Sequence, residues 1–154
     1  MAPTTPVTTV APAPATAPAA PIARRLSRRA DITVRTLQIV LALFLAIPSA
    51  GPKLVGHAFA AESFDRIGFG DWFMYLVGAL ELAGAVALVI PVLSGVSALA
   101  LIGLMAGAFI TQMTVFDGQN ALTPLIIAVP LAVIARTRRH HNAQLVALMT
   151  RGRA

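Results

Sequence analysis

Two charged residues stand where charges are rare. Glu81 lies inside an apolar run from Trp72 to Ile90, and Lys53 lies at the far end of another that begins at Leu37. An ionised group in lipid costs a few kcal/mol, so such residues are functional suspects by default. A carboxylate and an ammonium can satisfy each other, and a buried carboxylate can exchange a proton or hold the polar head of a ligand. Depth reckoned at 1.5 Å per residue sets Lys53 and Glu81 about 7 Å apart along the helix axes. Two long side chains close that gap if the first two spans are neighbours, as consecutive elements usually are. The two residues are therefore expected to pair. Three roles stay open for them. They lock two helices together, or they form a proton- or ligand-binding site between helices, or Glu81 faces water while Lys53 snorkels.

Other polar side chains fall at compatible depth. Thr111, Gln112 and Thr114 sit near the end of a third apolar run, Gln119 and Asn120 follow it, and Gln38 lies near the start of the first. Such groups commonly hydrogen-bond between helices or sit at the interface. The functional alternative is a pocket lined by Glu81, Lys53, Gln112 and Asn120. The chain has no Cys, which removes disulfides, thiol redox chemistry and Cys-held clusters together. It also lacks a Gly-rich phosphate loop, a nucleophile elbow and any pair of His at metal spacing within a span. No catalytic residue, metal or cofactor is expected. His140 and His141 are adjacent and point apart on a helix, so they read as a solvated tail.

These residues must be carried by membrane helices. Of 154 residues, 57% are hydrophobic and 12% charged, with a mean hydropathy of +0.79; ordinary soluble domains are about 25% charged. Four apolar runs are legible: Leu37 to Ala50 (to Val55 if Lys53 is tolerated), Trp72 to Ile90, Val96 to Val115, and Ala121 to Ala135. Pro48 and Pro52 are expected to kink or end the first. The fourth reaches only about 22 Å and contains Pro124 and Pro130. The expected fold is all-α, a four-helix transmembrane bundle. A short amphipathic segment over 57–68 lies on the outer surface, with Phe59, Ala60, Phe64 and Ile67 on one helical face.

Charge sets the orientation. Eleven of the twelve basic residues are Arg, gathered at Arg24, Arg25, Arg28, Arg29 and Arg35 and again at Arg136, Arg138, Arg139, Arg151 and Arg153. Four crossings put both clusters on one side, and cytoplasmic flanks accumulate Lys and Arg. The expected location is a bacterial cytoplasmic (inner) membrane, with both termini cytoplasmic. Neither cluster is interleaved with aromatic residues that would stack on bases, so no nucleic-acid partner is expected. Phe64, Phe69, Trp72, Phe73 and Tyr75 read as an interfacial aromatic belt at the outer start of the second span. Residues 1–30 form an Ala/Pro/Thr-rich stretch ending in basic residues. It cannot bury enough apolar surface to offset chain entropy, and it reads as a disordered tail rather than a cleaved leader. The membrane domain is placed at 31–137 and a basic tail at 138–154.

Small residues mark close packing. Gly103 and Gly107 form a GxxxG that Thr111 and Thr114 continue, while Gly78, Gly84 and Ala85 flank Glu81. These two faces are expected to meet inside one bundle. The alternative is that the GxxxG pairs two chains into a homo-oligomer.

Ala50, Gly51, Pro52, Lys53 and Leu54 close the first span. After the amphipathic segment come Ile67, Gly68, Phe69 and Gly70, then Trp72, then Gly78, Ala79, Leu80, Glu81, Leu82, Ala83, Gly84 and Ala85. In that order, over about residues 35–136, the chain resembles the DoxX-like membrane proteins. The resemblance implies a four-helix membrane bundle in which Lys53 and Glu81 match recurring positions. That family takes its name from a subunit associated with a thiosulfate:quinone oxidoreductase. Some relatives are linked to membrane oxidoreductase assemblies, and most have no established activity. The first functional expectation is an accessory subunit beside a membrane oxidoreductase, with a quinone head able to hydrogen-bond at Glu81. The second is a small proton-coupled transporter using Glu81. An independent enzyme is the least favoured reading.

Overall fold

A computed structural model describes residues 28–139 of the chain. The expectations for the Ala/Pro-rich tail, for His140 and His141 and for the last residues lie outside that range. Among the described residues there are five helices and no strands: α1 Arg28–Leu54, α2 Ala58–Ile67, α3 Asp71–Val89, α4 Ser94–Val115 and α5 Leu122–Thr137. α1, α3 and α4 are long and apolar enough to span a bilayer, and α5 is a shorter apolar helix. Its 16 residues extend about 24 Å.

α1 departs most from expectation. The helix already includes Arg28, well ahead of the apolar run that starts at Leu37. Pro48 and Pro52 do not end it. A prolyl ring removes an N–H and crowds the carbonyl four residues back. The backbone relieves this by opening into a π-helical turn over Leu45–Ala50, with the Gly51 N–H bonded to the Ala46 carbonyl, before a last α-turn over Gly51–Leu54. Such wider turns gather at functional sites, and this one sits beside Lys53.

The amphipathic segment forms α2. His57 Nδ1 accepts from the Phe59 N–H at its start, and Gly68 ends it in the left-handed region at φ 84°, its N–H shared by the Phe64 and Asp65 carbonyls. A side chain there would be strained, which is why glycine suits the stop. Ala60 is buried beneath α2, and the Phe64 ring lies 5.7 Å from Phe73 on α3. Trp72 stays largely exposed at the start of α3, where an interfacial aromatic belongs.

The core occupies one half of the bundle. Val34, Leu41, Ala42 and Leu45 of α1 pack with Ala85 and Leu88 of α3, Ala98, Leu101 and Met105 of α4, and Leu131, Ile134 and Ala135 of α5. That half is drawn tight by polar contacts to the backbone. Ser97 Oγ donates to the Gly84 carbonyl at 2.6 Å, and Gln38 Nε2 donates to the Leu88 carbonyl at 3.1 Å. The outer faces carry exposed Ile39, Leu43, Ile47, Leu80, Val86, Leu99, Ile110, Ile126 and Val129. Those side chains face lipid, as in a multi-pass membrane protein.

The expected meeting of the two small-residue faces does not form. Gly84 packs on Leu101, where an added Cβ would lie 2.6 Å from a methyl carbon, and Gly78 packs on Lys53 and Leu54 of α1. Gly103 and Gly107 have no such neighbour within 4 Å. The reason is divergence. α3 and α4 are tied near their shared turn by the Ser97–Gly84 hydrogen bond, and the backbone of α1 comes close to α5 only ahead of Leu45. The glycines of α4 are left facing the space that opens between them.

Candidate functional site

Lys53 and Glu81 meet. Lys53 Nζ donates to Glu81 Oε2 at 2.7 Å, with both side chains largely buried. Gly78 makes the approach feasible, because α1 runs over it with the Lys53 Cβ only 2.9 Å from where a Gly78 side chain would begin. Ser49, one turn before Lys53, completes the cluster. Its hydroxyl donates to Glu81 Oε2 at 3.0 Å, and Lys53 Nζ also reaches the Ser49 carbonyl at 3.0 Å and its Oγ at 3.3 Å. Glu81 Oε2 is thus doubly engaged. Oε1 accepts from no described residue and is not sealed from the space beside it.

That space is a cavity of about 710 Å³ in the half of the bundle away from the core. Ser49, Lys53 and Glu81 line its deep end, and α2 roofs it with Phe64 and Ile67. Gly103, Gly107, Thr111 and Gln112 of α4 form one wall, Thr123 and Pro124 of α5 line another side, and Asn120 comes from the loop between the two helices. Gln112 and Asn120 share the cavity with the ion pair, with no hydrogen bond between them and it. The loop that brings Asn120 in is tight. Asp117 and Asn120 adopt left-handed φ of 51° and 57°, and the Gly118 N–H bonds to the Gln112 carbonyl at 2.8 Å. Asp and Asn tolerate that conformation better than most residues. The volume falls in the range of small-molecule sites, which join apolar walls to a few converging polar groups.

A second polar cluster lies at the opposite end. Arg138 is buried, with Nη1 2.9 Å from Asp31 and Nη2 3.5 Å from Gln38 Oε1. This ties the start of α1 to the end of α5 and sets both arginine-rich ends of the described chain together. The charge pattern places Arg138 in the basic tail over 138–154; the structure makes it a buried member of the bundle. Nothing in the run Arg136, Thr137, Arg138, Arg139 separates it from its neighbours, because the distinction depends on where Asp31 and Gln38 lie in space. Ser49 was also missed, although its i, i+4 spacing to Lys53 is a usable signal.

Fold and site together define a class: a multi-pass membrane bundle with a buried ion pair at the base of an intramembrane cavity. The DoxX-like family profile matches residues 36–135, and the chain belongs to that family. No curated protein and no solved structure matches it.

Proposed function

We propose that this chain is an accessory membrane subunit that binds a quinone-type head in its cavity, beside a membrane oxidoreductase that handles the electrons. The observation that carries the reading is the Lys53–Ser49–Glu81 cluster at the base of a roofed cavity of about 710 Å³. The apolar wall suits a ring and tail, while Glu81, Gln112 and Asn120 supply polar contacts. The arginine-rich ends support termini on the cytoplasmic side of a bacterial inner membrane. The DoxX-like resemblance supports the oxidoreductase setting.

The test is equilibrium binding of a short-tailed quinone pair to the protein in lipid nanodiscs. Trp72, the single tryptophan, lies 5.8 Å from the Phe73 ring, which lines the cavity, so its fluorescence is a direct probe. Saturable binding that weakens at least tenfold in Glu81→Ala is expected. No saturable binding of either redox form ends the reading. For the subunit claim, purification from native membranes in mild detergent is expected to retain a quinone-reducing activity, and its consistent absence counts against that claim.

A second reading rests on the same carboxylate. A small proton-coupled transporter would use Glu81, which is buried yet exposes one oxygen to the cavity. Proton-coupled flux in liposomes compared with Glu81→Gln decides it: equal flux in both removes the transporter.

A further inference from the structure

The hydrogen bonds of the deep cluster set which head it accepts. An ammonium has three donors and no acceptor, a serine hydroxyl has one donor, and an ionised carboxylate only accepts. Lys53 Nζ directs its three hydrogens to Glu81 Oε2, the Ser49 carbonyl and Ser49 Oγ, and Ser49 spends its proton on Glu81 Oε2. Every donor of the cluster is therefore used inside the protein. What it turns toward the cavity is Glu81 Oε1, an acceptor that no described residue engages.

We infer that the Glu81 end of the cavity selects a head bearing a hydroxyl donor, the amides of Gln112 and Asn120 being left to serve either redox form, so that among quinone-type ligands the site takes the reduced quinol in preference to the quinone. This rests on the cavity being a quinone-type site, as proposed above. A quinol O–H gives Glu81 Oε1 a charge-assisted hydrogen bond, roughly twice as strong as a neutral one. A quinone carbonyl in the same place brings lone pairs against lone pairs and leaves the carboxylate oxygen desolvated without a partner. Sites built to hydrogen-bond a hydroxyl reject the analogue lacking it far more strongly than apolar contact alone would. The two redox forms are nearly the same size, so the cavity's shape contributes little to the difference.

The experiment compares decylubiquinol with decylubiquinone by anaerobic titration calorimetry of the intact protein in nanodiscs. The quinol is expected to bind at least tenfold more tightly, with the ratio falling to within about threefold in Glu81→Gln, whose amide presents a donor as well as an acceptor. Equal affinities in the unaltered protein overturn the selectivity and leave the cavity reading intact; failure of both forms to bind overturns both. A non-redox pair makes the claim independent of any variant. A long-chain 4-alkylphenol is expected to outcompete its methyl ether for the site, and equal competition overturns the inference.

Discussion

The bundle has two halves made of the same kinds of residue and put to different use. In the arginine-rich half, Leu45, Leu88, Leu101, Leu131 and Ile134 are fully or almost fully buried against one another. In the α2 half, the same helices part around a cavity of about 710 Å³. Glycine shows the contrast most directly. Gly84 lets Leu101 press against α3, whereas Gly103 and Gly107 on the partner helix face open space. Small residues in membrane helices are commonly read as points of close approach. Here the same residue type serves approach in one half and clearance in the other, and only the geometry of the neighbours distinguishes them. The polar groups divide likewise. Those of the packed half bind backbone or each other across helices, with only the buried Arg138 Nε left unpartnered among the described residues, while the cluster of the hollow half turns one carboxylate oxygen to the cavity.

The largest effect is expected where the two halves join, at the ion pair. Lys53→Met leaves Glu81 buried without its cation, and removing one partner of a buried pair costs about 3–5 kcal/mol. Thermal unfolding in detergent is expected to shift strongly downward, and most of the loss to return in the double variant Lys53→Met/Glu81→Leu. A double variant as unstable as the single one would mean that the pair is not the unit holding α1 to α3. Next is the packed half itself. Gly84→Ala forces the buried Leu101 side chain to move, and such overpacking costs about 1–3 kcal/mol. An unchanged midpoint would mean that this half is looser than its contacts suggest. Smaller still is Asp31→Asn. Arg138 stays buried against Gln38, and Asp31 is half-exposed, so screening limits the loss to about 1 kcal/mol or less. The loss should shrink as salt rises; one indifferent to salt would assign the contact to packing rather than charge.

Much of this arrangement was legible beforehand because lipid imposes simple demands. Runs long enough to span, an acid and a base that must find each other, and arginines gathered at the ends are one-dimensional signals, and α3 and α4 fall within two residues of the runs that announced them. The four lining residues Lys53, Glu81, Gln112 and Asn120 were placed by depth alone, since residues at one depth on neighbouring helices share a layer. What stayed hidden depends on angle. Whether Gly103 meets a neighbour is set by how far α4 diverges from α3, and whether Pro48 ends a helix or opens a π-turn is set by what holds the chain beyond it. Arg138 was hidden for the same reason, because its partners lie about a hundred residues away at Gln38 and Asp31.

The smallest expected effect on stability is the most informative about the hollow half. An added Cβ at Gly107 meets nothing within 4 Å, and replacing a mid-helix glycine by alanine favours the helix by about 0.5–1 kcal/mol. Gly107→Ala is therefore expected to hold or slightly raise the unfolding midpoint, opposite in sign to Gly84→Ala. Gly107→Leu extends the same idea into the cavity, where the longer side chain takes space a ligand would need. Its midpoint should match the unaltered protein within the equivalent of about 0.5 kcal/mol, the usual range for substitutions that disturb no packed neighbour, while quinol binding falls at least tenfold. The Lys53–Glu81 pair is untouched by this change, so the binding loss would report the cavity and not the salt bridge. A large drop in the midpoint would show instead that α4 packs against a neighbour at Gly107, and the division between a filled half and a hollow one would have to be redrawn.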